Sequence, residues 1–218
     1  MPADRVISPQ EGATQPPGAS RSGAAARENG GGAAAPPGIE AEIPAWRLRA
    51  ATIDDTEALL ALASCPPVFR YLFDGAAPDR DTIAGLLARS IATASDTGLG
   101  MWLLEDAVGP SCGCVQLRPD LASRSAELYY LLHPSYWGQG LATRMAWTAI
   151  AQAFLEQQID MVIAGTDLPN RASLAVMRRL GMRFHRDVRF PLGAGVEYAL
   201  HRDDPAPTPR PLLIGIMP

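Results

Sequence analysis

The sequence contains no lysine, so arginine carries all of its permanent positive charge. The 218-residue chain has 19 basic and 23 acidic residues, which gives a formal net charge of −4 and a pI of about 5.4. A protein that binds nucleic acid or an anionic membrane surface through its overall charge has a basic excess instead. The composition therefore points to neither kind of partner.

Long apolar runs and paired cysteines are also absent. No stretch approaches the ~18–20 consecutive apolar residues that a membrane-spanning helix needs. The chain has only three cysteines and three histidines, and Cys112 and Cys114 are too close in sequence to be joined across a fold. We therefore expect reduced thiols, as in a cytoplasmic protein, and no metal site.

Residues 1–45 differ in composition from the rest of the chain. More than half of them are alanine, glycine or proline, and none is aromatic. Such a segment buries too little apolar surface to offset the entropy lost on ordering, and it lacks the apolar core of a signal peptide. We predict a disordered extension over 1–45, one folded domain over 46–202 and an irregular proline-rich tail over 203–218.

Within the folded part, apolar periodicity predicts alternating strands and helices. The helices have one apolar face, and Asp79 and Asn170 stand where helix N-caps are expected. Strands are predicted near 46–49, 101–105, 112–117, 128–132, 161–164, 184–190 and 196–201, and helices near 57–62, 79–91, 141–154 and 170–180.

The most informative stretch is Ala126–Ala142, AELYYLLHPSYWGQGLA. Its strand-favouring residues end at His133-Pro134, because proline has no N–H to donate to a β-ladder. Gly138 and Gly140 then precede a helical pattern. Glycines let backbone N–H groups approach an anion closely, and a helix N-terminus adds unpaired donors and partial positive charge. The arrangement predicts a ligand that carries phosphate, while a Gly-x-Gly pair alone also fits an ordinary strand-to-helix turn.

Two further features accompany this turn. Glu127 lies at the start of the strand, and Asn170-x-x-Ser173 opens a helix that ends in Leu180-Gly181-Met182. With the run Tyr136-Trp137-Gly138-Gln139-Gly140-Leu141-Ala142-Thr143, the sequence resembles the GNAT family of acyl-CoA-dependent N-acetyltransferases over residues 46–202. The branch it resembles most includes the ribosomal-protein N-terminal acetyltransferases. Two positions depart from the family pattern: Ser135, where Arg or Gln is usual, and Arg144, where an acid is frequent.

The resemblance implies an α/β (α+β) fold, with a mixed, mostly antiparallel sheet of six or seven strands and helices on both faces. Two central parallel strands splay apart, and the pantetheine arm of acetyl-CoA lies in the gap. The implied contacts of the arm are the backbones of Leu131, Leu132 and His133, together with Asn170 and Ser173. The implied contacts of the pyrophosphate are the backbones of Gly138, Gln139, Gly140, Leu141, Ala142 and Thr143. Asn170 also fits a helix N-cap, which is compatible with contact to the arm.

Acetyl transfer to an amine needs one group that takes a proton and one that returns a proton to the leaving thiolate. Glu127 matches the strand position where family members carry such a base, and a solvated charge at a strand end is the alternative. Should Glu127 not act, bulk water or Glu105 is next. Ser173 is the acid implied by the Asn-x-x-Ser motif, with a helix-capping hydroxyl as its alternative. Tyr129 and Tyr130 alternate on the strand, so at most one faces the site.

These observations predict a cytoplasmic N-acetyltransferase, a monomer or homodimer, that binds neither nucleic acid nor membrane. The predicted acceptor is a small-molecule amine or a peptide α-amine, because an α-amine loses its proton near neutral pH more readily than a lysine side chain does. The segments Cys65–Asp79 and Phe190–Gly195 are expected to wall the acceptor cleft, with Tyr71 and Phe73 as an apolar lining.

Two other functions remain open. One is a catalytically degenerate domain that binds CoA as a sensor or scaffold, which the departures at Ser135 and Arg144 allow. The other is a dinucleotide-binding oxidoreductase. That class is disfavoured because Thr143 replaces the third glycine of its phosphate-binding fingerprint.

Overall fold

A computed structural model describes residues 46–106, 109, 111–155, 158–205 and 212–215. The predicted disordered extension over 1–45 lies outside the described residues. The strands are β1 Arg47–Ala50, β2 Met101–Glu105, β3 Gly113–Asp120, β4 Ser125–Leu132, β5 Met161–Asp167, β6 Arg183–Phe190, β7 Gly193–His201 and β8 Leu213–Gly215. The helices are α1 Thr56–Ala63, α2 Pro66–Phe69, α3 Arg80–Thr97, α4 Leu141–Leu155 and α5 Arg171–Arg179. None of these helices is long and apolar enough to cross a membrane.

The strands form one mixed sheet in the order β6-β7-β5-β4-β3-β2-β1-β8. Neighbours are antiparallel except for the pairs β4–β5 and β1–β8. Seven strands lie within residues 46–202, and helices cover both faces, so the predicted fold class is confirmed.

The tail contributes an eighth strand that the sequence reading missed. Leu213–Gly215 pairs in parallel with Arg47–Arg49, so the expected irregular tail is wrong for these residues. The buried Leu212 precedes them, and its N–H donates to the hydroxyl of Thr148 on α4 at 2.8 Å. The high proline content of the tail concealed a short apolar run after Pro211, where no proline interrupts the ladder.

The central strand β4 is buried on both faces, because its alternate side chains enter two different clusters. Leu128, Tyr130 and Leu132 pack with apolar residues of α4 and α5. Tyr129 and Leu131 pack with apolar residues of α1 and α3 on the opposite face. This period of two is the strand alternation expected of a central strand between two helical layers.

The pairing of β4 with β5 stops halfway along both strands. Ser125, Ala126 and Glu127 pair with Met161, Val162 and Ile163, yet β4 continues to Leu132 and β5 to Asp167. The two strands therefore diverge after Glu127, which confirms the predicted splay. Glu127 and Ile163 stand at its vertex.

An ion-pair network joins the first strand to the entrance of α1. The Arg49 guanidinium donates to Asp55 Oδ1 at 2.8 Å and to Glu105 Oε1 at 2.9 Å. The Thr52 N–H also donates to Asp55, at 2.7 Å. Burial alone would raise the pKa of Asp55, but the hydrogen bonds from Arg49 and Thr52 outweigh it and hold the pKa below its ordinary value.

This network predicts that Asp55→Asn lowers the free energy of unfolding at pH 7 by about 1.5–3 kcal/mol, the range for hydrogen bonds to charged groups. A lowered folded pKa stabilises the protein above the unfolded pKa, and this contribution is lost as the pH falls through the folded pKa. The difference from wild type should therefore shrink below about pH 4. Chemical denaturation at several pH values measures it. Asp54→Asn, at an exposed neighbour, is the matched control, and an equal loss there would contradict the assignment.

Candidate active site

The glycine turn before α4 has the backbone conformation that an anion site requires. Gly138 and Gly140 have φ of 76° and 72°, in the left-handed region that favours glycine. Apart from the adjacent residues in the chain, no atom of the described residues lies within 4 Å of a Cβ placed on either glycine, so open space faces the loop. The first turn of α4 contains no acidic residue, and its leading N–H groups have no partner within the helix.

Thr143 adds a buried hydroxyl to this turn. Its Oγ1 has no hydrogen-bond partner among the described residues. A buried hydroxyl without a partner is uncommon in native proteins, because it forfeits the bonds it would make to water. Together with the open glycines and the helix N-terminus, it makes the turn fit the pyrophosphate of CoA. The contacts of Gly138, Gln139, Gly140, Leu141, Ala142 and Thr143 themselves stay predictions.

The three residues of β4 that are predicted to contact the pantetheine arm differ in the direction of their backbone groups. The C=O of Arg124 accepts hydrogen bonds from the N–H groups of Asp160 and Met161. Even-numbered residues of β4 therefore direct their backbone towards β5, and odd-numbered residues direct theirs towards β3. Of the three predicted backbone contacts, only Leu132 faces the gap, and Leu131 faces β3.

The backbone of His133 is already hydrogen-bonded within the chain, and its contact with the pantetheine arm stays a prediction. Its N–H donates to Cys112 O at 2.7 Å, and its C=O accepts from the Tyr136 N–H at 3.0 Å. The cause is a 3₁₀ turn at Pro134–Tyr136 that folds back on the strand end. Leu132 O in turn accepts from the indole N–H of Trp137 at 2.8 Å. This hydrogen bond ties the glycine turn to the end of β4 at the mouth of the gap.

On the far side of the gap, Asn170 caps α5. Its Oδ1 accepts from the Ser173 N–H at 3.2 Å, so its role as a helix N-cap is present in the structure. The Ser173 hydroxyl lies 3.0 Å from the hydroxyl of Tyr130 on β4. Asn170 and Ser173 are both 0% exposed. Ser173 therefore links α5 to β4 through Tyr130, and the Asn170 side chain, rather than the Ser173 hydroxyl, is the cap.

Sequence reasoning left Tyr129 and Tyr130 undecided, and the structure separates them. Tyr130 faces α4 and α5, where its hydroxyl meets Ser173. Tyr129 faces α1 and α3, where the Arg118 guanidinium lies 4.3 Å from its ring centroid. The alternation of the strand could have assigned opposite faces, but which helix covers each face depends on the tertiary arrangement.

The side chain of Glu127, the predicted base, lines a cavity at the vertex of the splay. The cavity has a volume of about 380 Å³, and its lining includes Arg118, Ile163, Arg186 and Glu197. Glu127 is half-buried. Its carboxylate forms no hydrogen bond or ion pair with the part of the chain that the structure describes, so it is available to a ligand. The alternative base Glu105 is instead bonded to Arg47 and Arg49 and does not line this cavity.

Glu197 is a second carboxylate in the same cavity, and the sequence reading missed it. It lies on β7, where Gly165 of β5 is its register partner. The Arg186 guanidinium donates to Glu197 Oε2 at 2.6 Å. Because Arg186 already neutralises Glu197, Glu127 is the better placed of the two to accept a proton.

The two segments expected to wall the acceptor cleft lie against each other. A Cβ on Gly75 would lie 3.3 Å from Leu192 Cδ2, so the Cys65–Asp79 connection touches the turn between β6 and β7. Phe73 and Asp74 have left-handed φ angles of 43° and 58°. Neither segment lines the cavity that contains Glu127, so their contact with an acceptor stays a prediction.

Cys112 and Cys114 do not offer a nucleophile. Burial, with a smaller effect of Asp106, raises the pKa of the Cys112 thiol to about 12, and burial raises that of Cys114 to about 12. Both thiols are protonated at neutral pH, whereas a nucleophilic cysteine needs a thiolate. All three cysteines are unpaired. Among the described residues, no three His, Cys, Asp or Glu side chains are grouped so as to hold a metal.

These features define a mixed α/β fold with two splayed parallel strands, an open glycine turn before α4 and a carboxylate at the vertex of the splay. Residues 46–183 match the family model of the acetyltransferase (GNAT) domain. The chain belongs to the GNAT family of acetyltransferases, which confirms the predicted family and enzyme class.

Individual relatives are more distant. YkkB, an uncharacterized protein of Bacillus subtilis (strain 168), is 27% identical over 95 residues, which are 42% of this chain and 55% of the relative. The chain thus spans about half the length of the curated relative that it matches.

Solved structures share the fold at low sequence identity. RimL, a ribosomal L7/L12 alpha-N-protein acetyltransferase in complex with CoA, has a TM-score of 0.62 at 19% identity, over 71% of this chain and 92% of that one. Spermidine N-acetyltransferase from Vibrio cholerae, in complex with CoA and spermine, has a TM-score of 0.62 at 18% identity, over 72% and 96%. A GNAT-family acetyltransferase from Bacillus anthracis has a TM-score of 0.62 at 17% identity, over 72% and 95%.

The glycine turn predicts that a side chain at Gly140 weakens CoA binding. Gly140→Val and the milder Gly140→Ala place carbon in the open space above the loop, and we expect at least a tenfold weaker affinity, equivalent to about 1.4 kcal/mol. Titration calorimetry with CoA on folded variants measures it.

Gly181→Val is the matched control, because Gly181 has a similar φ of 77° outside the loop. It should lose stability through the same backbone strain and keep its CoA affinity. Unchanged affinity in folded Gly140 variants would show that the loop is not the phosphate site.

Proposed function

We propose that this protein transfers an acetyl group from acetyl-CoA to a primary amine, either a peptide α-amine or a small-molecule amine. The observation that carries the proposal is Glu127, an unpaired carboxylate at the vertex of the β4–β5 splay that opens into a cavity of about 380 Å³. A base at that point meets an acceptor that enters through the cavity. The pyrophosphate loop lies at the other end of β4.

The chain's residues divide the work between the two faces of β4. Gly138 to Thr143 hold the diphosphate, and the backbone positions of β4 that face the gap flank the pantetheine arm. Acetyl-CoA supplies the acetyl group as a thioester. Glu127 removes a proton from the amine nitrogen, directly or through one water molecule. On the opposite face, the hydrogen-bonded hydroxyls of Tyr130 and Ser173 are the candidate proton donors.

Ser173 would need the leaving thiolate to approach between β4 and α5, since its side chain is fully buried there. Its bond to Tyr130 changes the assignment from a lone serine to a hydroxyl pair. A proton that leaves one hydroxyl can be replaced through the other. Protonation of a thiolate needs only modest assistance, because the pKa of an ordinary thiol is about 8.5.

The acceptor class follows from the amount of help that the cavity offers. A free α-amine has a pKa of about 7.7–8.0 and a lysine side chain one of about 10.4, so deprotonating the lysine at a given pH costs about 3–4 kcal/mol more. Glu127 is the one carboxylate of this cavity that forms neither an ion pair nor a hydrogen bond with the described residues, and a single base of this kind is sufficient for an α-amine, which is the easier of the two to deprotonate. The names of the similar structures include a protein α-amine and a polyamine among their substrates, which supports an amine acceptor without selecting one.

The proposal includes two expectations from the sequence: a cytoplasmic location and a monomeric or homodimeric state. The described part of the chain contains no feature that favours the oxidoreductase reading. The sensor alternative makes a different prediction: the protein binds CoA and releases no thiol with any amine. Measurement of thiol release therefore distinguishes a sensor from an enzyme.

The assignment of Glu127 predicts that Glu127→Gln lowers kcat by up to about 10²–10⁴-fold, the usual worth of general-base catalysis. The pH–rate profile should lose its acidic limb, because the carboxylate assigned as the base is no longer present. A thiol-reactive chromophore measures CoA release, and calorimetry checks that CoA affinity persists. Turnover equal to wild type would move the base to bulk water. Absence of release with every amine, in a wild-type protein that binds CoA, would favour the sensor.

The acceptor argument predicts faster acetylation of an α-amine than of a lysine side chain. One peptide that contains both groups is prepared with either its α-amine or its lysine blocked, and each form is incubated with acetyl-CoA near pH 7. Mass spectrometry gives both rates at equal concentration. Faster modification of the lysine would overturn the choice of acceptor and leave the transfer reaction itself intact.

A further inference from the structure

Arg118 lies directly opposite the candidate base Glu127 in the sheet. The two residues are register partners on β3 and β4, and both line the cavity at the vertex of the splay. Side chains directly opposite each other in an antiparallel pair have Cβ atoms about 4.5–5.5 Å apart, and opposite charges at such positions attract each other. The structure describes both side chains, yet they form no ion pair.

The side chain of Arg118 is directed to Tyr129 instead. Its guanidinium carbon lies 4.3 Å from the centroid of the Tyr129 ring, and its Nη1 donates a hydrogen bond to the Tyr129 hydroxyl at 3.4 Å. Tyr129 follows Glu127 by two residues on the same face of β4, and its ring is 6% exposed within the apolar cluster under α1 and α3. A cation over an aromatic face is attracted by the ring, and more strongly where water is partly excluded.

The other charged groups around Glu127 leave Arg118 as the cation whose position matters. The charged residues that line the cavity with Glu127 are Arg118 and Asp120 on β3, Arg186 on β6 and Glu197 on β7. Arg186 donates to Glu197 at 2.6 Å, so these two charges offset each other. Asp120 has the same sign of charge as Glu127. On α3, Arg89 lines the adjoining cavity of about 210 Å³ and not this one.

An ion pair with Arg118 would make Glu127 a weaker base. A cation within ~4–6 Å favours the charged form of a carboxyl group and lowers its pKa by about 1–3 units. Hydrogen bonds from the guanidinium would also occupy the oxygen atoms that have to accept the proton of the amine. A less basic carboxylate removes that proton more slowly. Glu127 can therefore act as the base only while Arg118 is held away from it.

We propose that Tyr129 is a positioning residue for the transfer reaction. Its ring and hydroxyl hold the Arg118 guanidinium away from Glu127, which leaves the Glu127 carboxylate available for the proton of the amine. The inference rests on the proposed function, because it takes Glu127 as the base. Tyr129 itself does not touch the reacting atoms and acts through Arg118.

The kinetic test removes both contacts with Tyr129→Leu, which keeps an apolar side chain in the cluster. Arg118 should then pair with Glu127, so kcat for a peptide with a free α-amine should fall about 3- to 30-fold. The acidic limb of the pH–rate profile should move about one unit or more towards lower pH. The KM for acetyl-CoA should not change, since the glycine turn lies at the other end of β4. Adding Arg118→Met should recover most of the lost kcat and return the limb to its original pH.

Leu103→Val is the matched control. Leu103 belongs to the same apolar cluster as Tyr129, but its register partner is Cys114, four residues from Arg118 on β3. Adding Arg118→Met to this variant should not raise its kcat. Should Tyr129→Leu fail to fold, Tyr129→Phe removes only the hydroxyl and should give a smaller change in the same direction, again reversed by Arg118→Met. An unmoved acidic limb, or no recovery in the double variant, would show that Tyr129 has a merely structural role.

A second measurement does not depend on turnover. Carbon-13 NMR of protein labelled at the glutamate carboxyl carbons follows their ionisation, and the Glu127 signal is the one that disappears in Glu127→Gln. This signal should titrate at lower pH in Tyr129→Leu than in wild type and return in the double variant. That result in a protein that releases no thiol with any amine would keep the action of Tyr129 on Arg118 and reject the proposed reaction. Titration at the same pH in wild type and Tyr129→Leu would overturn the inference even in an active enzyme.

Discussion

The separation of β4 from β5 after Glu127 is the constraint on which the rest of the structure depends. Two parallel strands that stayed paired to their ends would leave no backbone edge inside the sheet. Here the pairing ends at Glu127 and Ile163, and β5 continues in register with β7 as far as Asp167. The opening is therefore bounded by β4, which β3 holds in place, and by β5, which β7 holds in place.

The position of every site element follows from that opening. The end of β4 leads within a few residues to Gly138 and Gly140, so the glycine turn lies at the mouth of the gap. The indole of Trp137 fastens this turn to the strand through Leu132 O. On the far wall, Asn170 starts α5, and the contact between Ser173 and Tyr130 ties that helix back to β4. The vertex carries Glu127 on the face away from α5.

The two buried faces of β4 carry different candidate groups: Glu127 lies on one face, and Tyr130 with Ser173 lies on the other. Its even-numbered side chains meet α4 and α5, and its odd-numbered side chains meet α1 and α3. Glu127, Tyr129 and Arg118 share the second face, where charged groups meet the apolar layer and leave two adjoining cavities. The Glu127 carboxylate is tolerated there because it is half-buried and lines a cavity, so it keeps access to water.

The amino-acid sequence by itself determined most of the elements and the glycine turn before α4, because these depend on local properties, whereas the fold class came from the family resemblance. Strand and helix periodicity, the glycines before α4 and the cap at Asn170 act over a few residues, and the structure agrees with them. The family resemblance supplied the splay. Contacts between distant segments were decided only by the tertiary structure. Glu197 lines the cavity because β7 pairs in this register with β5. The hydroxyl of Tyr130 on β4 contacts the hydroxyl of Ser173 on α5. The 3₁₀ turn at Pro134–Tyr136 places the Tyr136 N–H on the C=O of His133. Strand β8 pairs with β1, which lies more than 150 residues earlier in the sequence. No local pattern encodes such pairings, since each depends on the packing of the whole sheet.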